Sequence, residues 1–116
     1  MADSIGVIIL AAGKGTRMKV ATPKALMPAL GKSLLDYVIE ESFKFANEAK
    51  MPCEVGVVVG HMKELLIAHL GEKFPHSPLK IAVQKEQNGT ADALKACFVD
   101  HPHFWNHTYT LVACAD

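Results

Sequence analysis

The chain has 116 residues and a mass of 12.6 kDa, which suffices for one compact domain and is too short for two. Half of the residues are apolar and 21% are charged, which excludes a disordered tail or a fibrous repeat. Twelve basic residues balance twelve acidic ones, so no net field would attract nucleic acid. Apolar runs such as 7–10 and 57–59 fall far short of the roughly 20 residues that a membrane-spanning helix needs.

The charge is distributed unevenly along the chain. Residues 1–32 hold five basic side chains and one acidic side chain, a net charge of +4. One small basic region suits a small polyanion better than a duplex, so we expect neither a nucleic-acid nor a membrane partner. The sequence gives no indication of an oligomeric state.

The three cysteines indicate in which cellular compartment the protein is expected. Cys53, Cys97 and Cys114 are odd in number and lack CxxC spacing, a pattern that predicts buried free thiols in a reducing environment. The N-terminal residues include no basic leader or apolar signal region. A cytoplasmic location is therefore expected.

Taken in chain order, the hydrophobic pattern predicts strands alternating with helices. Residues 5–10 form a β-branched run without alternation, as in a strand buried on both faces, and a loop rich in glycine and proline extends to about Lys32. A helix with Ser33 as N-cap should end before Pro52, and a second helix should end at Gly71. The other predicted strands cover 55–59, 79–84 and 109–114, the later helices cover 62–70 and 90–99, and a surface loop covers 100–106.

Helical spacing also predicts which side chains are buried. In the first helix the apolar positions are Leu35, Val38, Ile39, Phe45, Ala46 and Ala49. In the second they are Leu65, Leu66, His69 and Leu70. The alternation of elements predicts an α/β fold with a mostly parallel sheet and helices on both faces.

In such sheets, ligands bind beyond the carboxyl ends of the strands. The first strand leads into Leu-Ala-Ala-Gly-Lys-Gly-Thr-Arg-Met, residues 10–18. Small residues let backbone N–H groups approach a phosphate, and Lys14 and Arg17 supply cationic donors. The alternative is an ordinary tight turn with solvated basic side chains. The P-loop pattern fails because Gly15 separates Lys14 from Thr16, and the dinucleotide pattern fails because Met18 replaces its third glycine.

Three further features follow along the chain. Pro23 could direct Lys24 toward the glycine loop to neutralise a phosphoryl group in transfer, although a surface lysine is the alternative. The amides of Gln84 and Gln87 could read a nucleobase edge, and the helix start at Gly89 and Thr90 lets the main chain come close. Thr90 is also expected to cap that helix, so a polar turn before a capped helix is the alternative.

Two patterns in the sequence could indicate a metal site. Asp116 follows an apolar strand, where a carboxylate is a natural Mg²⁺ ligand beside phosphate oxygens; the alternative is an ordinary terminal aspartate. His101, His103 and His107 could chelate zinc, but their segment looks like a surface loop without cysteine. His61, at a strand end, could reach a ligand or act as a cap.

Together these motifs resemble the sugar-1-phosphate nucleotidyltransferases, and most of all the N-acetylglucosamine-1-phosphate uridyltransferases. The resemblance lies in Leu-Ala-Ala-Gly-x-Gly-Thr-Arg-Met, Pro-Lys, Gln-x-x-Gln-x-Gly-Thr-x-x-Ala and an apolar strand closing on Asp. It implies a three-layer Rossmann-like fold, with UTP, a sugar 1-phosphate and Mg²⁺ bound. It runs from about Ile5 to Asp116 and matches only the N-terminal half of that catalytic domain. Residues 1–116 should therefore be the nucleotide-binding part, without the sugar-binding half and inactive alone.

The resemblance also implies roles for the matched residues. The main chain of four residues would hold the uracil and ribose of UTP: Leu10, Ala11, Ala12 and Gly13. Three residues would wrap the triphosphate, the last of them at the departing pyrophosphate: Gly15, Thr16 and Arg17. Lys24 would stabilise the α-phosphate, and Asp116 would hold Mg²⁺. The base would be selected by Gln84, Gly89 and Thr90.

The chain departs from the family pattern at three positions. Ala115 precedes Asp116 where glycine is usual, Asp92 stands where histidine is common, and Asn88 adds a polar group before Gly89. Two alternatives stay open, because the matched residues lack the sugar-binding half and indicate the base only weakly. One is a nucleotide-binding or regulatory module without turnover, and the other is a cytidylyl- or guanylyltransferase of the same fold.

Overall fold

Four parallel strands form the central sheet of the computed structural model, which describes residues 3–11, 28–29, 32–60, 63–75, 79–85 and 89–114. The elements in chain order are β1 (Ile5–Leu10), β2 (Pro28–Ala29), β3 (Lys32–Ser33), α1 (Leu34–Ala49), β4 (Cys53–Val59), α2 (Lys63–Lys73), β5 (Leu79–Val83), α3 (Thr90–Asp100), a 3-10 helix (Pro102–Asn106) and β6 (Tyr109–Cys114). The sheet order is β5-β4-β1-β6. The predicted α/β fold with a parallel sheet is confirmed, and the short antiparallel pair β2–β3 lies within the predicted loop.

The sheet is covered by helices on both faces. All six residues of β1 are buried, and alternate residues join opposite clusters. Ile5, Val7 and Ile9 pack with buried residues of α1 and α2. Ile8 and Leu10 pack with α3 and the 3-10 helix. Burial of one large apolar side chain stabilises a fold by roughly 1.5–3 kcal/mol, so the buried side chains of this strand contribute substantially to the stability of the domain.

The ends of α1 and α2 differ from the prediction. α1 ends at Ala49 because Lys50 adopts a φ of 57°, and the N–H of Met51 donates to the carbonyl of Ala46 in a Schellman-type turn. Pro52 is thus not what stops the helix. α2 continues past Gly71 to Lys73, so the prediction that this glycine ends it is wrong.

Some predicted core positions are on the surface. Phe45 and Leu65 are about half exposed, and Ala49 is exposed. The apolar stripes of α1 and α2 are therefore narrower than the sequence suggests, and they centre on Leu35, Ile39, Ala46, Leu66 and Leu70.

The segment after α3 is not a surface loop. It forms the 3-10 helix, and Phe104 at its centre is fully buried against the sheet. Glycines on two neighbouring strands make room for the ring, since an added Cβ at Gly6 or Gly56 would lie 3.2 or 3.0 Å from its carbon atoms. Both glycines therefore mark a close approach rather than a flexible point.

The two edge strands of the sheet, β5 and β6, differ in whether side chains cover their free edge. At β5, Asp100 accepts a hydrogen bond from the N–H of Val83, and His101 donates one from Nε2 to the carbonyl of Ile81, at 3.0 and 2.7 Å. Side chains thus occupy positions that another strand would use. At β6, Leu111 and Val112 expose apolar side chains on opposite faces.

The cysteines are free, but they are not uniformly buried as predicted. Cys97 is buried, Cys53 is partly buried, and Cys114 is exposed on β6. Burial raises the pKa of the Cys97 thiol to about 11, which keeps it protonated and unreactive. Within the described ranges, no helix is both long and apolar enough to cross a membrane.

Candidate functional site

The carboxyl ends of the four long strands are aligned along one edge of the sheet. Leu10 of β1 pairs with Val58 of β4 and with Cys114 of β6, and Val58 pairs with Ala82 of β5. The strands β1, β5 and β6 therefore end at nearly the same level, and a segment of the sequence follows each of them. These are the segments in which the sequence places the candidate ligand-binding residues.

The strand order places a topological switch at β1. The chain proceeds from β1 to β4 and β5 on one side, and then returns to place β6 on the other side of β1. In open α/β sheets, ligands bind in the crevice outside the carboxyl ends at such a switch. Ala11, which directly follows β1, lies at this point.

Ala11 and Gln84 are both anchored to the end of β4. The N–H of Ala11 donates to the carbonyl of Val58 at 2.9 Å, and the N–H of Gln84 donates to the carbonyl of Val59 at 2.8 Å. Consecutive carbonyls of one strand thus hold the two segments on either side of it. Since neighbouring strands lie about 4.8 Å apart, the two residues are separated by roughly 10 Å.

These bonds limit what Ala11 can offer to a ligand. Its N–H is already used by Val58, and its side chain is buried. Leu10 lies within β1 and is also buried, in the cluster on the α3 face. A main-chain contact from Ala11 to a nucleotide would have to come from its carbonyl oxygen.

Gln84 is a buried polar side chain with two internal acceptors. It is 6% exposed, and its Nε2 donates to the carbonyl of Gly89 at 3.3 Å and to Oδ2 of Asp92 at 3.1 Å. These contacts join the end of β5 to the first turn of α3. The structure thus brings Gln84 and Gly89 together and adds Asp92 to them.

Gly89 is the N-cap of α3 and has a backbone conformation reserved for glycine. Its φ of 99° and ψ of −180° lie in a region that side chains strongly disfavour. Thr90 is the first helical residue, and no side chain caps the helix. The expectation that Thr90 is the cap is therefore wrong, because Gly89 occupies that position.

Gly89→Ala should destabilise the chain by about 1–2 kcal/mol. No atom lies within 4 Å of the position that a new Cβ would take, so the cost comes from backbone strain rather than from a clash. Urea unfolding followed by circular dichroism would measure it. Gly71→Ala, in the last turn of α2 with equally open space, is the control and should be neutral or stabilising. If the two variants changed the free energy of unfolding equally, the backbone at Gly89 would not be strained by a side chain.

A cavity of about 380 Å³ adjoins this cluster between the end of β5 and α3. Gln84 and Asp92 form part of its wall, together with Lys85 and Lys95. Its volume falls within the range of small-molecule sites. The described side of the candidate site therefore combines a fixed amide, a carboxylate and two lysines.

The other predicted site residues lie outside the described residues. In the glycine loop and after it these are Ala12, Gly13, Lys14, Gly15, Thr16, Arg17 and Lys24. Elsewhere they are Gln87, Asp116 and His61. Their roles stay predictions.

The histidines near α3 do not form a zinc site. His103 and His107 donate from Nε2 to the two carboxylate oxygens of Glu54, at 2.7 and 2.9 Å. His107 Nδ1 lies 3.0 Å from the hydroxyl of Ser4, while His101 is bonded at the β5 edge. Among the residues that the structure describes, no group of three potential ligands could hold a metal ion.

Asp92 is the site residue that the sequence reasoning missed. The sequence showed it only as a departure from a family pattern, without a role. The available signal was its position in the first turn of the helix that follows a strand-end glutamine. A carboxylate at that position can reach the end of β5 and accept a hydrogen bond from the side-chain amide of Gln84.

Comparison with protein families gives one match over nearly the whole chain. The model of the MobA-like NTP transferase domain matches residues 7–116.

Several curated relatives bear the name bifunctional protein GlmU. The protein from Psychrobacter arcticus is 39% identical over 102 residues, which cover 88% of this chain and 21% of the relative. The protein from Streptomyces avermitilis is 45% identical over 89 residues, with 77% and 17% covered. That from Anaeromyxobacter sp. is 40% identical over 92 residues, with 79% and 18% covered. The chain thus spans about a fifth of the length of these relatives.

Among solved structures, Rv0371c from Mycobacterium tuberculosis H37Rv is similar in fold. The TM-score is 0.63 at 21% identity, and the match covers 100% of this chain and 54% of that one. This likeness concerns the fold alone.

Proposed function

The chain belongs to the MobA-like NTP transferase domain family, and on that premise we propose that it forms the nucleotide-binding part of a uridyltransferase. The reaction would join the uridylyl group of UTP to N-acetylglucosamine 1-phosphate and release pyrophosphate. The family and the GlmU relatives support nucleotidyl transfer in general, and the two substrates are our proposal.

One observation carries the proposal. Ala11, which leads into the glycine loop, and Gln84, which leads into the amide segment, are hydrogen bonded to consecutive carbonyls of β4. One nucleotide can therefore contact both segments, because their separation of roughly 10 Å is comparable to the length of a nucleoside monophosphate. Phosphates would extend toward the basic loop and the base toward Gln84.

The reaction requires the protein mainly to position the two substrates and to neutralise the charge of the phosphates. An oxygen of the sugar phosphate attacks the α-phosphorus in line, a new P–O bond forms, and the bond to pyrophosphate breaks. Lys24 would neutralise charge on the α-phosphate, and Arg17 would hold the departing pyrophosphate. The main chain of the glycine loop, at Gly15 and Thr16, would orient the triphosphate, with Lys14 beside it.

We also propose that Asp116 contributes a carboxylate to a Mg²⁺ site. Asp116 follows Cys114 by two residues, and Cys114 pairs with Leu10 at the edge where the glycine loop begins. Oxygen ligands of this kind suit Mg²⁺, which keeps several other positions for phosphate oxygens and water. Bound there, the ion would neutralise phosphate charge and make pyrophosphate a better leaving group.

The sugar-binding half is proposed to lie outside these 116 residues. Leu111 and Val112 expose apolar side chains on opposite faces of β6, as expected if further elements cover that strand. The coverage of the relatives, about a fifth of GlmU, is consistent with this. The chain alone would then bind the nucleotide without turning it over.

Thermal melting of the 116-residue chain with UTP, CTP, ATP, GTP or dTTP, with and without Mg²⁺, tests the proposal. A ligand at 100 times its dissociation constant adds roughly 2.7 kcal/mol to the stability of a folded binder, which raises Tm by several degrees. We expect a shift selective for UTP and larger with Mg²⁺. A cooperative melt that no nucleotide shifts would overturn the proposal and favour a regulatory relative.

Lys24→Ala separates phosphate binding from base binding. Uridine lacks the triphosphate, so uridine should raise the Tm of the variant as much as it raises the Tm of the parent chain when both proteins are equally saturated. Its response to UTP with Mg²⁺ should be clearly smaller, because a cation is lost beside the phosphates. Equal UTP responses in the two proteins would remove Lys24 from the phosphate site.

A further inference from the structure

We propose that Asp92 is a positioning residue that sets base selectivity by fixing the orientation of the Gln84 carboxamide. Held this way, Gln84 presents a hydrogen-bond acceptor to the nucleobase and favours a base with a ring N–H at the centre of its pairing edge. Uracil has such a group and cytosine does not. The inference rests on the proposed function, because it concerns the base of the bound nucleotide.

The orientation of the amide follows from the chemistry of its two partners. Nε2 of Gln84 lies 3.1 Å from a carboxylate oxygen of Asp92 and 3.3 Å from the carbonyl oxygen of Gly89. Both partners are acceptors, and an amide offers donors only from its NH₂ group. The reversed amide would place its oxygen against two other oxygens, so it is disfavoured.

The NH₂ group of Gln84 is therefore hydrogen bonded within the chain. The oxygen Oε1 accepts no hydrogen bond from the residues that the structure describes, which leaves it available to a ligand. Gln84 and Asp92 both line the 380 Å³ cavity at the end of β5. The acceptor character of the site thus comes from Asp92 together with the carbonyl of Gly89, which lie eight and five residues after Gln84 in the chain.

Burial makes this orientation hard to reverse. Gln84 is 6% exposed, and its backbone N–H is bonded to Val59. A rotation of the amide in place would leave donors and acceptors mismatched, a costly arrangement in a buried site. Gln84 should therefore not adapt to whichever base arrives.

The consequence differs between the two pyrimidines. Uracil has N–H at position 3 and could donate to Oε1 of Gln84. Cytosine has an unprotonated nitrogen at that position, whose lone pair would face the same oxygen. A mismatch of this kind at a buried polar group should cost about tenfold or more in affinity.

The test measures the ratio of UTP to CTP affinity for the 116-residue chain and three variants by calorimetric titration. Asp92→Ala removes the charged one of the two acceptors and leaves only the carbonyl of Gly89, so the amide is held less firmly and the ratio should fall at least about threefold, mainly by a gain for CTP. Asp92→Asn keeps an acceptor oxygen and should retain most of the ratio. Asp100→Ala is the matched control, because Asp100 lies on the wall of the same cavity and bonds Val83 instead of Gln84.

A second readout needs no nucleotide. The side-chain NH₂ resonances of Gln84 report its hydrogen bonds in an NMR spectrum of the free chain. They should be well separated in the parent chain and in Asp100→Ala, and should move toward the position of a solvated glutamine in Asp92→Ala. A merely structural role of Asp92 would not change the UTP to CTP ratio.

The outcomes distinguish this inference from the proposed function. UTP selectivity that persists unchanged in a folded Asp92→Ala would overturn the inference and leave the proposed function standing. Equal losses for both nucleotides would also overturn it, since they indicate a general loss of the site. Failure of the parent chain to bind any nucleotide would overturn both.

Discussion

Phe104→Ala is expected to lower the free energy of unfolding by about 3–5 kcal/mol, the range for large-to-small substitutions of a buried phenylalanine. The ring is fully buried and joins the 3-10 helix to β1, β4 and α3. Its removal leaves a cavity over Gly6 and Gly56, neither of which carries a side chain to fill it. Since small domains are stable by only about 5–15 kcal/mol, the variant should be close to unfolding.

Urea unfolding followed by circular dichroism would measure this loss. Phe45→Ala is the matched control, because Phe45 is the same residue type on α1 and about half exposed. It should lose at most about 1 kcal/mol. Similar losses in the two variants would contradict the structural role assigned to Phe104.

The central elements were predictable because their signals are local. The unbroken apolar runs of β1 and β4 identify strands buried on both faces, and both are found at nearly the expected positions. Strand–helix alternation then favours a parallel sheet, since a helical crossover is the usual way to bring the next strand in parallel. All three strand pairs of the four-stranded sheet are parallel, in agreement with this rule.

The 3-10 helix was not predictable in the same way. A five-residue element is too short to show a helical period, and its polar residues are typical of a loop. The burial of Phe104 depends on Gly6 and Gly56, which lie on two strands far away in sequence. Only the pairing of β1 with β4 brings those two glycines under one ring.

The candidate site was partly predictable. Gln84 stands at a strand end, where sequence position alone suggests a ligand, and the structure places it beside Gly89. The role of Asp92 depends on the angle at which α3 leaves the turn, which no local pattern gives. The same turn explains the error at Thr90, because the unusual backbone of Gly89 starts the helix without a side-chain cap.

Sequence spacing alone did not reveal what the histidines contact. Their partner, Glu54, lies about 50 residues earlier, at the start of β4. His107 precedes β6 and Ser4 precedes β1, so this cluster links the amino ends of three neighbouring strands. It lies at the opposite end of the sheet from the candidate site. Its role is therefore stability.

Glu54→Ala is expected to lower the free energy of unfolding by about 2–3 kcal/mol at neutral pH. Hydrogen bonds to a charged group contribute roughly 1.5–3 kcal/mol, and the exposed position of His103 reduces the second of the two bonds. Loss of the carboxylate also leaves His107 without its acceptor in a largely buried position. Glu72→Ala, at an exposed position on α2, is the control and should change little.

The cluster of Glu54 with His103 and His107 should also make the free energy of unfolding depend on pH in the acidic range. Burial by itself would raise the pKa of Glu54, but hydrogen bonds from His107 and His103, together with their charge, outweigh burial and lower that pKa below its ordinary value. A carboxylate whose pKa is lowered on folding contributes stability above its pKa in the unfolded chain, near 4.3, and this contribution is lost as the pH falls through the folded pKa. Urea unfolding between pH 3 and 6 should therefore show the difference between the parent chain and Glu54→Ala shrinking toward pH 3. A difference that stays constant over this range would mean that the charge of Glu54 does not stabilise the fold.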